Sequence, residues 1–161
     1  MGAAARKAAE RLKAEAYVDP LTGLFNRRAF EREIGKEASR AARHRRRFTI
    51  VLIDLDGLKQ INDEQSHLAG DLKLRELATA LASATRAGDS AYRVGGDEFL
   101  LLLTDVAGRS ADIVVNRVVE MGAPAFSWGS ALFPEDGLEI DDILEVADAE
   151  LRANKRQHHR R

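Results

Sequence analysis

Residues 48–57 read FTIVLIDLDG, and residues 90–103 read SAYRVGGDEFLLLL. The first stretch is a continuous β-branched and aliphatic run, which predicts a strand from Phe48 to Leu55 that is buried on both faces. The second stretch has two apolar segments around Gly95-Gly96, which predicts a β-hairpin whose glycines take the positive φ of a tight turn. Together the two stretches predict a sheet with acidic residues at its end.

Helical segments are predicted on both sides of these strands. Residues 3–16 are rich in Ala, Lys, Glu and Arg, which favours a helix that ends before Asp19-Pro20. Five further helices are predicted, and most have an apolar face that should point inward. They are a helix capped by Asn26, with Phe30, Ile34 and Ala38 inward; a short helix over about 60–63; a helix from near Asp71, with Leu74, Leu77, Ala78 and Leu81 inward; a helix over 111–121, with Val114, Val115, Val118 and Val119 inward; and a helix capped by Asp141, with Leu144, Ala147 and Leu151 inward. With a last strand over 125–131, this order predicts an α/β or α+β domain, a mixed central sheet covered by helices.

Composition limits the classes of function. The 161 residues suffice for one domain with one core, and 45% of them are apolar. The 25 basic and 26 acidic side chains give a formal charge of −1, which excludes a broadly basic nucleic-acid binder, so we expect no nucleic-acid partner. The sequence has no cysteine, which excludes disulfides, thiolate zinc sites and cysteine nucleophiles. No apolar run approaches the roughly 20 residues that cross a bilayer, so we expect no membrane partner and a cytoplasmic location.

Carboxylates stand where the predicted strands end. Asp54 closes the apolar strand, and Asp97 and Glu98 lie at the tip of the hairpin. A carboxylate at the end of a buried strand is costly unless it is paired or bound to a metal. If the hairpin lies beside the strand, these groups converge, and oxygen ligands without His or Cys suit Mg²⁺ held together with substrate phosphates. The alternative interpretation is a set of ordinary turn acids.

The segment after Asp54 carries further polar groups. Gly57 makes a tight turn into a helix, where backbone N–H groups can hold an anion and Lys59 adds a positive charge. Asn62 offers a donor and an acceptor, and an amide together with the carboxylate of Asp71 could match the edge of a guanine. A helix cap and a surface position are the alternative roles for these residues and for His67.

These residues belong to a longer pattern that resembles one known family, the GGDEF diguanylate cyclases. The similarity covers roughly residues 17–159, and the joint spacing of so many elements is far more specific than any single Gly-rich pair. The matching segments are Asp19-Pro20-Leu21-Thr22-Gly23-Leu24 with Asn26-Arg27-Arg28; Asp54-Leu55-Asp56, Lys59, Ile61-Asn62-Asp63, His67 and Gly70-Asp71; Arg93-Val94-Gly95-Gly96-Asp97-Glu98-Phe99; Ser127-Trp128-Gly129-Ser130-Ala131, Pro134 and Asp136-Gly137; and Ala147-Asp148 with Lys155.

The resemblance implies a fold like the nucleotidyl-cyclase and polymerase palm. It divides the chain into a connecting helix over residues 1–16 and a GGDEF domain over residues 17–161. It implies a reaction in which two GTP yield cyclic di-GMP and two pyrophosphates, with two subunits meeting face to face, so a homodimer is expected. The connecting helix would couple a sensor to the cyclase, and we expect that sensor domain to be absent from this chain.

The resemblance also implies roles for individual residues. Asp54, the Leu55 carbonyl and Asp97 would hold two Mg²⁺ ions, with Mn²⁺ as an alternative metal. Asp97 or Glu98 would assist in deprotonating the 3′-hydroxyl of the substrate, and Lys59 would stabilise the charge of its phosphates. Asn62 and Asp71 would recognise guanine, with His67 close to the ribose or base. Lys155 would contact the terminal phosphates.

A second site is implied upstream of the hairpin. Arg86-Ala87-Gly88-Asp89 resembles the RxxD inhibitory site of the family, where the product cyclic di-GMP binds as a stacked dimer, and Arg117 matches a position that joins this site in some members. An Arg fork can pair with a guanine edge or a phosphate, and an Asp can accept from guanine. An Arg and an Asp at this spacing are also a common surface pair, so both interpretations stay open.

The chain departs from the family pattern in three places. The usual Gly-Arg-Asn-like turn after the last helix is replaced by residues 156–161, where His159 stands at the position of the usual phosphate-binding Arg and Arg160 lies beside it. Gly57-Leu58 replaces an aromatic pair. The segment 121–127 is short, which predicts the loss of a peripheral pair of strands.

Three functions are therefore compared. The first is an active diguanylate cyclase, and the second is a degenerate GGDEF module that binds GTP or cyclic di-GMP as a receptor without turnover. The third is a structural or dimerising domain. The intact set of Asp54, Lys59, Asn62 and Asp97-Glu98 favours the active enzyme, because binding alone would not require all of these residues.

Overall fold

The computed structural model of the protein describes residues 2–104 and 111–158. In chain order, its elements are α1 (Ala3–Tyr17), β1 (Phe25–Asn26), α2 (Arg27–His44), β2 (Phe48–Leu55), α3 (Leu58–Glu64), α4 (His67–Ala84), β3 (Ser90–Arg93), β4 (Glu98–Thr104), α5 (Ala111–Glu120), β5 (Phe126–Phe133) and α6 (Ile140–His158). The strands described form one sheet in the order β1-β3-β4-β2-β5. Only β1 and β3 pair in parallel, so the sheet is mixed, as the sequence predicts.

Strand β2 lies between β4 and β5, and its apolar run is explained by burial on both faces. Val51, Ile53 and Leu55 belong to the core beneath α4 and α5, whereas Phe48 and Ile50 belong to the core beneath α2 and α6. Successive side chains of a strand point to opposite faces, so a strand covered on both sides needs apolar residues at nearly every position. The predicted double burial of β2 is confirmed.

Helix α6 lies directly on β5 because β5 has a glycine at the crossing. A Cβ on Gly129 would collide with backbone atoms of Ala147 and Leu151. Near its C-terminal end, α6 is also fixed by Asn154, whose side-chain amide donates to the carbonyl of Trp128 at 2.7 Å. This close packing brings the last turns of α6 to the end of the sheet that carries Asp54.

The hairpin between β3 and β4 is present, but its glycines act differently from the prediction. Neither Gly95 nor Gly96 has a positive φ. The connection has four residues, 94–97, and is closed by hydrogen bonds from the Val94 and Gly95 amides to the Glu98 carbonyl, so a tight two-residue turn is not needed. A Cβ on Gly95 would lie 2.8 Å from Oε2 of Glu98, so an added side chain here would displace the end of the Glu98 side chain.

Helix α4 begins four residues before its predicted start near Asp71. The side chain of Ser66 accepts a hydrogen bond from the amide of Ala69 at 3.1 Å and caps the helix, so its first residue is His67. Ser is a favoured capping residue, and Ser66 was the signal in the sequence that could have set this boundary. Asp71 consequently lies in the second turn.

Two further expectations are corrected on the outer helices. Asp141 lies in the first turn of α6 and not at its cap, where its charge still favours the positive end of the helix dipole. Val119 is 58% exposed and does not face the core. The buried positions of α5 are Ala111, Val114, Val115 and Val118, and Val119 lies about 100° around the helix from Val118.

Helix α1 and the segment before β5 follow the expectations from sequence. No residue of α1 is buried, which fits a helix that needs a partner outside the domain core. Between Glu120 and Phe126 there is no strand, so the peripheral pair is missing as predicted. Among the helices in the described ranges, none has both the length and the apolarity to cross a bilayer.

Candidate active site

The pairing of β2 with β4 brings the predicted carboxylates to one end of the sheet. Asp54 lies opposite Glu98 in the antiparallel register, and the amide of Leu55 donates to the carbonyl of Asp97 at 2.9 Å. Asp97 is partly exposed and Glu98 is exposed, whereas Asp54 is buried. One buried carboxylate and two accessible carboxylates therefore lie at the same edge of the sheet. Ordinary turn acids on separate loops would not converge in this way.

The carboxylate of Asp54 has an asymmetric environment. Its side chain is 7% exposed, and Oδ2 accepts from the ammonium of Lys155 on α6. The other oxygen, Oδ1, is buried and has no hydrogen-bond partner among the described residues. Leaving a buried acceptor unpaired costs about 1–3 kcal/mol, so this oxygen is suited to a ligand that arrives later.

The donors at this edge fit a hard divalent cation that is held jointly with a substrate. Within residues 2–104 and 111–158 there is no cluster of three or more His, Cys, Asp or Glu side chains able to hold a metal alone. Asp54, Asp97 and the Leu55 carbonyl supply oxygen only, and Mg²⁺ is commonly bound by one or two carboxylates together with phosphate oxygens. The unpartnered Oδ1 of Asp54 agrees with such a shared site.

A second carboxylate, Asp56, belongs to a cluster that the sequence reasoning missed. The hydroxyl of Ser127, fully buried on β5, donates to Oδ1 of Asp56 at 2.7 Å. Nδ1 of His158 lies 3.2 Å from the same hydroxyl and 3.6 Å from Oδ2 of Asp56. The Asp-x-Asp spacing was the available signal, because residues two apart lie on the same side of a strand.

Helices α3 and α4 carry the residues predicted to bind the base and phosphates. Lys59, in the first turn of α3, is exposed, and the turn before it uses Gly57 with φ of 69°. His67 is the exposed first residue of α4, and Asp71 lies one turn later on the same side. Helix α3 begins three residues after the end of β2, and α4 follows it after two residues.

Asn62 packs closely against α4. Its side-chain oxygen is buried without a partner among the described residues, and a Cβ on Gly70 would collide with it. The glycine therefore allows the Asn62 amide to lie beside the turn that carries Asp71. Asn62 thus lies against the residue that directly precedes Asp71 in α4.

The segment that begins Asp19-Pro20 is joined to the hairpin by Arg93. The guanidinium of Arg93 lies 3.2 Å from both carboxylate oxygens of Asp19 and donates to the Gly96 carbonyl at 2.8 Å. Burial alone would raise the pKa of Asp19, but hydrogen bonds from Thr22 and the charge and hydrogen bond of Arg93 outweigh it, so its pKa is lowered. This ion pair stabilises the loop that presents Asp97, a role that sequence reasoning did not assign.

The predicted inhibitory residues lie together around the C-terminal end of α4. The Asp89 carboxylate accepts from the Arg86 amide and from the Thr104 amide, both at 3.1 Å. The side chain of Arg86 is exposed, and Arg117 on α5 donates to the carbonyl of Ala84 at 3.1 Å. Asp89 therefore has a structural part in this turn whether or not a ligand binds.

Two predicted positions fall outside this description. His159 and Arg160, which were compared with the phosphate-binding Arg of the family pattern, lie outside the described residues. Lys155, the other basic residue of the last helix that was predicted to bind phosphate, contacts Asp54.

Comparison with known proteins gives one consistent family. The family described as "Diguanylate cyclase, GGDEF domain" matches residues 16–161. The chain is similar to the protein named "Probable diguanylate cyclase DgcE" of Escherichia coli, with 33% identity over an alignment of 162 positions that covers 93% of this chain. It is also 32% identical, over an alignment of 161 positions, to "Cyclic di-GMP phosphodiesterase PdeR" of the same organism. It spans only 15% and 24% of those two proteins.

A solved structure agrees in fold. The coiled coil and GGDEF domain of DgcB from Caulobacter crescentus, solved in complex with c-di-GMP, superposes with a TM-score of 0.82 at 26% sequence identity. The similarity covers 94% of this chain and 87% of that one. The predicted palm-like mixed sheet is therefore confirmed.

Proposed function

Because this chain belongs to the GGDEF family of diguanylate cyclases, we propose that it condenses two GTP molecules into cyclic di-GMP. The observation that supports this most is the β2–β4 register, which sets the buried Asp54, with one unpartnered oxygen, beside the accessible Asp97 and Glu98. A receptor that only binds nucleotide has no need of an unpaired buried carboxylate next to two accessible ones.

The proposed reaction forms one bond and breaks one bond at each phosphate. The 3′-oxygen of one GTP attacks the α-phosphorus of the other, the bond from that phosphorus to pyrophosphate breaks, and the same exchange in the other direction closes the ring. Asp97 or Glu98 accepts the proton of each 3′-hydroxyl. The product is one cyclic di-GMP with two pyrophosphates.

The metal site in this proposal consists of Asp54, the Leu55 carbonyl and Asp97, with Mg²⁺ as the metal and Mn²⁺ as a substitute. When bound, the cation supplies polarisation of the α-phosphate and makes the attacking hydroxyl more acidic. Lys59 and Lys155 bind the negatively charged phosphates. The phosphates offer the Lys155 ammonium a new partner, which compensates for its lost contact with Asp54. Asn62, Asp71 and His67 orient the guanine and ribose.

Three features of the proposal go beyond the single nucleotide site. Each subunit binds one GTP, so a homodimer is needed to bring the two nucleotides face to face. Arg86, Asp89 and Arg117 form a site where the product binds and inhibits. Helix α1 serves as the connection to a sensor in such an assembly.

The experiment is incubation of the chain with GTP and Mg²⁺, followed by mass analysis of the products. We expect cyclic di-GMP with two pyrophosphates per product, and a loss of at least about a hundredfold in rate for Asp97→Asn, because an essential oxygen ligand is replaced. The matched control is Glu120→Gln, an exposed acid at the end of α5, whose rate should equal that of the wild type. GTP binding without product would contradict the proposal and favour the receptor function.

A further inference from the structure

The last turns of α6 hold two basic side chains against two acids at the end of β2. Lys155 contacts Asp54, and His158 lies 3.6 Å from Asp56. Side chains three apart on a helix are about 5–6 Å apart at Cβ. Alternate residues of a strand are separated by about 6.6 Å, so the two spacings match and both contacts can form together.

The contact of His158 is a hydrogen-bond relay with a defined direction. Ser127 has one hydroxyl hydrogen, and the 2.7 Å contact with the Asp56 carboxylate, which can only accept, uses it. At the 3.2 Å contact the Ser127 oxygen must therefore accept, so Nδ1 of His158 carries the hydrogen. The fully buried Ser127 hydroxyl is thereby satisfied in both of its roles.

This relay attaches the end of α6 to both neighbouring strands. Ser127 belongs to β5, Asp56 directly follows β2, and His158 is the last residue of α6. Asn154 fixes the preceding turn to the Trp128 carbonyl. Lys155 lies between these two attachments, so the position of its ammonium depends on both.

We propose that His158 is a positioning residue for the triphosphate: by donating from Nδ1 to Ser127, it holds the end of α6 so that Lys155 reaches the terminal phosphates. This inference rests on the proposed binding of GTP. It concerns a segment where the chain departs from the Gly-Arg-Asn-like pattern named above, because α6 continues through His158.

The first test is the ring tautomer of His158, measured by nitrogen NMR of the nucleotide-free chain. We expect the hydrogen on Nδ1, and we expect Ser127→Ala to shift the ring toward the Nε2–H form, with the Asp56 carboxylate as the remaining acceptor near Nδ1. A wild-type ring with its hydrogen on Nε2 would overturn the inference, and this result does not depend on GTP binding.

The second test compares His158→Ala and His158→Asn, because Asn places an N–H near the position of Nδ1. We expect His158→Ala to raise both the KM for GTP and the Kd of a non-hydrolysable GTP analogue about fivefold, the effect of one ordinary hydrogen bond, with kcat changed less than twofold. His158→Asn should restore most of the loss. His44→Ala, at the exposed end of α2, is the matched control and should match the wild type.

The outcomes separate the two proposals. A wild-type chain that neither binds the analogue nor converts GTP would contradict the proposed function. Wild-type binding that His158→Ala leaves unchanged, or a fall in kcat with unchanged KM, would overturn only the role of His158. Thermal unfolding of the variants distinguishes a merely structural effect, because the side chain is 55% exposed and its loss should hardly change Tm.

Discussion

At the scale of single residues, Asp54 shows how a site and a stable fold are reconciled. The carboxylate is buried at the end of the most apolar strand, where an isolated charge would be costly. One of its oxygens is paired with Lys155, and the other is left without a partner among the described residues. The fold therefore tolerates an incomplete pairing at the position where we propose that a cation and phosphates bind.

Arg86 gives the cleanest test of the inhibitory site. Its side chain is exposed, and its backbone bonds to Asp89: the Arg86 amide donates to the Asp89 carboxylate, and the Arg86 carbonyl accepts from the Asp89 amide, so Arg86→Ala should keep the turn intact. We expect cyclic di-GMP to inhibit this variant at least about tenfold more weakly, since a charged hydrogen bond to the ligand is lost. The measurement is the initial rate against added product.

The matched control for Arg86→Ala is Arg152→Ala, which removes an exposed Arg that pairs with Asp148 on α6. Equal inhibition of Arg86→Ala and the wild type would refute the site assignment. Asp89→Ala is a poorer test, because its carboxylate also binds the Thr104 amide and its loss would destabilise the turn.

At the scale of elements, the contact between α3 and α4 depends on a single missing Cβ. We expect Gly70→Ala to push the Asn62 amide away and to raise the KM for GTP about tenfold, which corresponds to roughly 1.4 kcal/mol. The obstructing atom is the end of a side chain, so the fold itself should lose little stability. Steady-state kinetics with GTP provides the measurement.

Gly35→Ala is the control for Gly70→Ala. Gly35 lies inside α2, and a Cβ there would meet no atom within 4 Å. Ala is favoured over Gly in a helix by about 1 kcal/mol, so this variant should be slightly more stable with unchanged KM. An unchanged KM in Gly70→Ala as well would show that the Asn62 position is irrelevant to GTP binding.

The ion pair of Asp19 and Arg93 joins the loop before β1 to the β3–β4 hairpin, and it predicts a pH dependence. A lowered pKa means that the ionised carboxylate stabilises the folded state above the ordinary value of 3.8, and that this stability is lost as pH falls through the lowered pKa. We expect Asp19→Asn to lower the free energy of unfolding by about 2 kcal/mol at neutral pH.

Urea unfolding of Asp19→Asn and wild type, at neutral pH and at a pH below the lowered pKa of the wild-type carboxyl, measures this contribution. The difference should shrink in acid, because the wild-type carboxyl is then neutral too. Asp112→Asn, an exposed acid on α5, should show no comparable difference at neutral pH. A difference for Asp19→Asn that is the same at both pH values would contradict the assigned cause.

Sequence predicted the elements that depend on local patterns and missed those that depend on tertiary contacts. Strand β2 and the hairpin could be predicted because the order of apolar and polar residue types indicates burial and strand alternation. The start of α4 was misplaced because two capping signals, Ser66 and Asp71, compete and only the structure decides between them. The strand β1 was missed because two residues paired with β3 carry no periodicity.

The same distinction applies to the site. Asp54, Asp97 and Glu98 were predicted from strand ends, and the register that aligns them could only be assumed. The relay of Asp56, Ser127 and His158 joins three separate segments, so no local pattern could show it. Asp19 and Arg93, 74 positions apart, are a similar long-range pair.

At the scale of the whole molecule, the proposed reaction needs two copies of the domain, because we propose that each copy binds one GTP. Helix α1 buries none of its residues, so the isolated chain has little to stabilise an association through that helix. We expect the specific activity to fall as the protein is diluted from high to low micromolar concentration. A specific activity that stays constant over this range would contradict the need for assembly.

The central claim is that the end of β2 and the adjacent hairpin bind divalent metal together with the substrate. Its most direct measurement is electron paramagnetic resonance of Mn²⁺ titrated into the chain with a non-hydrolysable GTP analogue. The account predicts bound Mn²⁺ in the wild type, and Mn²⁺ affinity at least about tenfold weaker in both Asp54→Asn and Asp97→Asn. Mn²⁺ binding that neither substitution alters would contradict it.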